Sequence, residues 1–319
     1  MYIENPVIED TQYVVKNAEH VKINIEAVAD ISKALYNYDI PVWDYEIHYA
    51  DGDSPEKTAQ YILILDSLNF CFWPSEWRVE WKGKTYHGYK ALAASLTRAI
   101  EEGVPILDAD YLENIRVDEL RYILRGQGEA SMIEQRVNHL QEVGRVLNLK
   151  YNGLFKNLIE SVNGSGVELA LKIADEFSSF SDYADYKNRR VAILKRAQIT
   201  VADLYGIFGG ESYGFFEDID RITAFADYKL PQVLRKFGVI EYSKELAEKI
   251  DNMEEIEAGS IEEIEIRAAT VISVEKIKEK LSEMGRYLKS YEIDWMLWEY
   301  SQQLPDWEIS HHRTLTHNY

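Results

Sequence analysis

The chain has 319 residues, 46% of them hydrophobic, with 55 acidic against 35 basic side chains and a formal charge of -20. That length suffices for one large unit, or two intimately packed ones, around a sizeable core. A chain this acidic lacks the basic face with which proteins grip the phosphate backbone; polymeric nucleic acid is excluded as a partner, whereas a small ligand with one phosphate needs only a few local cations.

The start, MYIENPVIED, carries no basic region followed by an apolar core, and no run of about 18 apolar residues occurs anywhere. Neither a secretory signal nor a membrane span is expected. The single cysteine, Cys71, allows no intrachain disulfide and suits a reducing, cytoplasmic setting. His48 follows in DYEIHYADGD. YILILD (61–66) fits a strand or a buried helix equally well, because so short an apolar run has no telling period. LNFCFWPSEW (68–77) sets Phe70, Phe72, Trp73 and Trp77 around Asn69. Such a cluster is either core or a stacking wall for a flat heterocycle, with Asn69 offering a donor and an acceptor. Cys71 reads as a small buried residue. WRVEWKGKTYHGY (77–89) alternates and turns at Lys82-Gly83, the signature of a β-hairpin.

Helical periodicity dominates the rest. GYKALAASLTRAIEEG (88–103) ends on Gly103 as a C-cap, residues 131–162 are helical with a break at YNG (151–153), and 167–177 form a short helix. VAILKRAQITVADLYGIF (191–208) puts Val191, Leu194, Val201, Tyr205 and Phe208 on one apolar stripe. Gln198 falls inside that stripe; a buried amide needs partners, and a ligand is one source. Lys195, at the stripe's edge, either snorkels to solvent or points into a cleft toward a phosphate or sugar hydroxyl. Arg196 and Asp203, seven apart on another face, read as structural.

FADYKLPQVLRKFG (225–238) places one acid, Asp227, among aromatic and apolar residues just before a proline. Ile219, Ile222, Phe225 and Ala226 suggest the apolar face of a helix; Pro231 stops it, and the chain restarts with Pro231 in the first turn of the next helix. Asp227 then sits near a helix N-terminus, whose N–H groups favour a carboxylate. It serves there either as a buried acid satisfying backbone donors or as a reactive group. The acidic stretch 251–267 leads into a helix capped at Ser260, in which Arg267 lies four residues after Glu263 and reads as an ion pair. A last helix covers 291–303, with Asp294 and Trp298 on one face. His48, His311 and His312 match no zinc spacing, so no metal is expected. The GxxxxGK[ST] element is absent.

Taken together, LNFCFWP (68–74), GYKALAASLTRAIEEGVPI (88–106), LKRAQITVADL (194–204), FADYKLPQVLRKFGVIEYS (225–243), EIEIRAATV (263–271), IDWMLW (293–298) and the terminal HHRT resemble the queuosine 5′-phosphate N-glycosylase/hydrolases of queuosine salvage, from about residue 45 onward. The resemblance implies a mainly α fold, similar to the helix-hairpin-helix DNA glycosylases, with a small β-hairpin-containing addition. It also implies hydrolysis of the N-glycosidic bond of queuosine 5′-phosphate to release queuine; no cofactor and a monomer are expected. Carried over by motif, Asp227 is the catalytic carboxylate and Lys195 its companion. LPQVL stands where DNA glycosylases have a glycine-rich turn, which removes a DNA anchor. Phe70, Phe72 and Trp73 then wall the ligand beside Asn69; His48, Tyr228, Gln232, Gln198 and Asp294 are candidates for base or ribose contacts. Lys195, Arg267, His312 and Arg313 compete for the phosphate. An acidic, aromatic surround would suit the secondary ammonium that the base carries. A single compact unit over 1–319 is expected, any subdivision separating 1–125, with the hairpin, from 126–319, the helical catalytic part. A DNA base-excision glycosylase and a non-catalytic nucleotide binder are the rival readings.

Overall fold

The computed structural model describes residues 3–304 and 309–319. Helices dominate, as the periodicity requires: the described residues form fourteen α-helices and three two-stranded antiparallel sheets. YILILD lies in the helix Pro55–Ser67, in which every residue from Thr58 onward is buried. A helix covered on all sides has no polar stripe, so its sequence shows no period. Arg78–Trp81 pairs with Lys84–His87 through a turn in which Lys82 (φ 47°) and Gly83 (φ 76°) are both left-handed, as a tight hairpin demands. Gly88–Glu101 follows without a linker. Ile133–Tyr151 stops at Asn152 and Gly153, both at positive φ, and the long helix Ile261–Glu283 starts on Ser260, whose Oγ accepts the Glu263 N–H at 3.3 Å.

Two expected helices are shorter than their periodicity suggests. Within 191–208 the helix begins only at Lys195; Arg189–Ala192 is a strand paired with Tyr183–Tyr186. Asp182 forces the change of direction. Its carbonyl accepts the N–H groups of Ile193 and Leu194, and its carboxylate accepts that of Lys195 at 2.9 Å. The run 219–226 is a single 3-10 turn, Ile219–Arg221, followed by extended chain. Side chains from three separate helices satisfy that extended backbone in place of a helical ladder. Gln198 Oε1 accepts the Thr223 N–H at 3.1 Å, Asp294 Oδ1 accepts the Phe225 N–H at 2.7 Å, and Arg267 Nε donates to the Ala226 carbonyl at 3.1 Å.

The apolar residues gather into two principal clusters. One joins the helices Pro55–Ser67, Gly88–Glu101, Ile133–Tyr151, Gly166–Glu176 and Lys195–Phe208 through Ile62, Leu92, Leu140, Leu169 and Val201. The other joins Ile25–Leu35, Lys229–Lys236, Ile261–Glu283 and Ser290–Ser301 through Ile31, Leu234, Val274 and Leu297. The extended 222–226 segment runs along their seam, with Ile222 and Phe225 in the first cluster and Ala224 in the second. Within the first, Gly144 lets Ile133–Tyr151 approach Ala109–Asn114 at backbone distance: a Cβ there would press on Glu113 N and Ala109 O. Gly144→Ala should therefore cost about 2 kcal/mol or more through overpacking, read as a lower urea midpoint at an unchanged slope.

Candidate active site

A cleft of about 1340 Å³ opens at the seam of the two clusters. It is lined by the 37–48 segment, by the start of the Gly88–Glu101 helix, by Asn69, Phe72 and Trp73, and by the tail residues His311, Arg313 and Tyr319. Lys195, Ile199 and Asp203 line it from one helix and Asp294, Trp295 and Trp298 from another, together with Asp227.

Asp227 ends the extended segment and precedes the helix Lys229–Lys236. Its Oδ1 accepts the N–H groups of Lys229 at 2.8 Å and Leu230 at 2.9 Å, which fixes the carboxylate while Oδ2 takes neither bond. Burial pushes its pKa above the ordinary carboxylate range, and Lys195 together with the two N–H groups pulls it back. Lys195 occupies the first turn of its helix, 5% exposed, and its Nζ donates to the Asn69 carbonyl at 3.1 Å. Burial lowers the lysine's pKa, opposed first by Asp227 and then by Asp66. Each group thus opposes the other's shift: the lysine draws the carboxyl's pKa back down and the carboxylate draws the lysine's back up.

One buried ion pair positions them. Arg267 grips Asp182 with both terminal nitrogens, at 2.8 and 2.7 Å. Asp182 caps Lys195, and Arg267 Nε holds the carbonyl of Ala226, next to Asp227. Arg267 and Asp182 are 1% and 2% exposed.

Of the residues singled out in the sequence, His48, Asn69, Phe72, Trp73, Lys195, Asp227, Tyr228, Asp294 and Arg313 line the cleft. His48 bridges the Asp44 carbonyl at 2.7 Å and the Tyr89 hydroxyl at 2.9 Å, and burial holds it neutral, its pKa pushed down to about 4. Five others stand away from the wall. Phe70 lies under the guanidinium of Arg136, 4.3 Å from its ring centre. Gln198 finds its amide partners in Asn5, Thr223 and the Ile193 carbonyl. Gln232 donates to the Ile309 carbonyl at 2.6 Å. Arg267 is spent on Asp182 and Ala226, so the ion-pair reading holds with a different first partner: Glu263 lies farther off, at 3.6 Å. His312 bonds the Tyr319 hydroxyl at 3.1 Å, and burial pushes its pKa down to about 3, leaving it without charge for a phosphate.

The sequence reading missed Asp203, Trp43, Tyr89 and Trp295. The seven-residue spacing places Asp203 over Arg196, but a helix side chain leans toward the N-terminus, and Arg196 spends its guanidinium there on the carbonyls of Asp66, Ser67 and Ser179. The ridge of every fourth residue, Lys195–Ile199–Asp203, was the available signal. Trp43 and Tyr89 come from stretches whose sequence shows no chemical motif.

A family model described as queuosine salvage protein matches residues 47–319. The chain belongs to that family. Among curated relatives, a protein of Sphaerobacter thermophilus is 44% identical over 313 residues, covering 97% of this chain and 96% of the relative. One of Dictyostelium discoideum is 39% identical with 97% of each chain covered, and one of Bos taurus is 33% identical with 92% of each covered. All three carry the name queuosine 5′-phosphate N-glycosylase/hydrolase.

Arg267→Met should destabilise the protein by about 3–5 kcal/mol, because it strands Asp182 as an unpaired buried charge; chemical denaturation measures it. Asp66, beneath the cleft, has its pKa pushed up to about 7, chiefly by burial. A buried acid that stays protonated in the fold while ionising in the unfolded chain costs stability as pH rises. Asp66→Asn should accordingly gain stability over wild type progressively between about pH 4 and 7, and denaturation at a series of pH values checks the sign.

Proposed function

We propose that the chain hydrolyses the N-glycosidic bond of queuosine 5′-phosphate and releases queuine for reuse in tRNA modification. The observation that carries this is Asp227: a carboxylate lining a ligand-sized cleft, anchored through one oxygen and facing a buried lysine. The relatives' shared name supplies the substrate.

Breaking the bond sends its electron pair out with the base and leaves positive charge on C1′ and the ring oxygen of the ribose. Asp227 stabilises that charge from a fixed position, which requires no reorganisation as the charge develops. Water supplies hydroxide to C1′ and a proton to the departing base. The base is a 7-deazaguanine and lacks the ring nitrogen at which a purine leaving group is commonly protonated, so stabilisation of the sugar carries more of the barrier. Lys195 favours the ionised form of Asp227 against its burial. Phe72, Trp73 and Tyr228 give flat apolar faces to the ligand. At the phosphate end stand Arg313 and the Trp73 indole, whose centre lies 5.8 Å from the guanidinium and whose buried N–H has no partner. The acidic surface favours a mononucleotide over a polymer.

Incubation with queuosine 5′-phosphate should yield free queuine by mass spectrometry, and Asp227→Asn should lower the rate at least a thousandfold while preserving the thermal midpoint. Full activity in that variant overturns the assignment; substrate binding without any release makes the protein a binder. Tight duplex-DNA binding at low salt points instead to a polymer substrate. Lys195→Met removes the charge that opposes the rise in the Asp227 pKa. The acidic limb of its kcat/KM profile should therefore move to higher pH, along with a lower plateau.

A further inference from the structure

Asp203 is 3% exposed, lines the cleft, and carries one buried oxygen, Oδ2, with no hydrogen-bond partner. A buried carboxylate oxygen left unpaired is costly, so one on a residue that lines a cleft calls for an explanation in the ligand. The charges around it sharpen the point. Burial, and then Asp66 beside it, raises the Asp203 pKa well above the ordinary carboxylate range, against Lys195, which is also shared with Asp227. His48, facing the same space, is neutral and engaged with Asp44 and Tyr89. This end of the cleft therefore gathers buried acids that are short of cations, and a bound cation would favour the ionised form of Asp203.

The walls there are aromatic. Tyr89 meets Trp298 edge to face at 5.8 Å, Trp43 stacks on His48 at 4.4 Å, and Trp295 closes the side. The Trp298 ring already draws a cation, the Lys90 ammonium, to 5.7 Å of its centre. A carboxyl group with one unpartnered oxygen among aromatic faces is complementary to an organic ammonium. Its position selects which part of the ligand it meets. Asp203 lies eight residues beyond Lys195 on one helix, about 12 Å along the axis at 1.5 Å per residue. With C1′ of the sugar beside Asp227 and Lys195, the roughly two helical turns from Lys195 place Asp203 toward the far part of the ligand. The cleft volume, about 1340 Å³, exceeds the upper range of roughly 1,000 Å³ for small-molecule sites, leaving room for an extended ligand.

We propose that Asp203, with Tyr89 and Trp298, forms a subsite for the secondary ammonium of the side chain on the deazaguanine, and that this contact makes the protein select a base with a cationic side chain over one without. The proposal rests on the queuosine 5′-phosphate reading. The incoming cation pairs with Oδ2 and lies against the indole; no covalent step is involved. Asp203 acts on selection, whereas bond cleavage stays with Asp227.

The test compares kcat/KM for queuosine 5′-phosphate, its N-acetylated side-chain derivative and 7-deazaguanosine 5′-phosphate. Wild type should prefer the amine at least tenfold over both neutral analogues, and Asp203→Asn, which keeps shape and removes charge, should bring that ratio down to within threefold of unity. An unchanged ratio in the variant, or equal use of all three by wild type, overturns the subsite. A fall on all three substrates alike assigns Asp203 to structure or to the base edge, which also overturns it. Should Asp203→Asn fail to fold, the wild-type ratios still decide. Should wild type cleave none of the three, the functional reading fails separately. Calorimetry with free queuine, which keeps the ammonium, then reads the subsite alone: binding weakened at least tenfold by N-acetylation supports it, and equal or absent binding refutes it.

Discussion

Arg267 and Asp182 form the contact on which the arrangement of the site depends. Removing two charges from water is expensive, and a buried pair often contributes no more to stability than a well-packed apolar one. This pair is better understood through its remaining valences. Asp182, after taking two nitrogens of Arg267, still accepts the backbone N–H of Lys195. Arg267, after giving those two, still donates Nε to the carbonyl beside Asp227. A single ion pair therefore fixes the separation of two chain segments distant in sequence, each delivering one charged group to the cleft. The fork of a guanidinium, with donors in a fixed plane, suits that task where a lysine would give only a point charge.

The same economy appears along the extended segment before Asp227. Gln198, Asp294 and Arg267 each satisfy one backbone group of residues 223–226. All three carry polar side chains in buried positions, and buried polarity is what drew attention to them as ligand contacts. Their structural role is of direct consequence to the chemistry: a carboxylate that stabilises a developing charge must be held in place beforehand, and an unsupported extended strand would not hold it. Asp294 has both roles open to it, since it accepts the Phe225 N–H and also lines the cleft.

How much of this was legible in the sequence follows from what each signal measures. Helical period located the helices Gly88–Glu101, Gly166–Glu176 and Ile261–Glu283, because each keeps an exposed face or a marked cap. It overreached at 191–194 and 219–226, where apolar spacing imitates a helix while Asp182 and three distant side chains dictate another path. Asp227 was legible because Pro231 and its apolar neighbours make a charged residue there anomalous. Asp203 was not: a carboxylate on a helix with an arginine at a compatible spacing has a ready local explanation, and only the packed structure shows that arginine spent elsewhere. Charged residues were assigned to a phosphate by type, yet Arg267 and His312 are enclosed by their own partners, which spacing cannot reveal.

On the proposed function, the helix N-terminus beside Asp227 bears on the polarity of ligand binding. Such an end is a natural phosphate site, since its N–H groups point outward together. Here two of them, from Lys229 and Leu230, are taken by Asp227 itself, and the next residue is Pro231, which has none. A phosphate placed there would meet a carboxylate instead of donors. On the proposed function the anion is held by side chains instead, for which the tail residues offer Arg313 beside the unpartnered Trp73 N–H. With the phosphate there and C1′ over Asp227, the base is directed toward the aromatic, acidic end that contains Asp203. On that reading, Asp227 takes up the donors nearest to it, and by doing so favours one orientation of a substrate that is negative at one end and positive at the other.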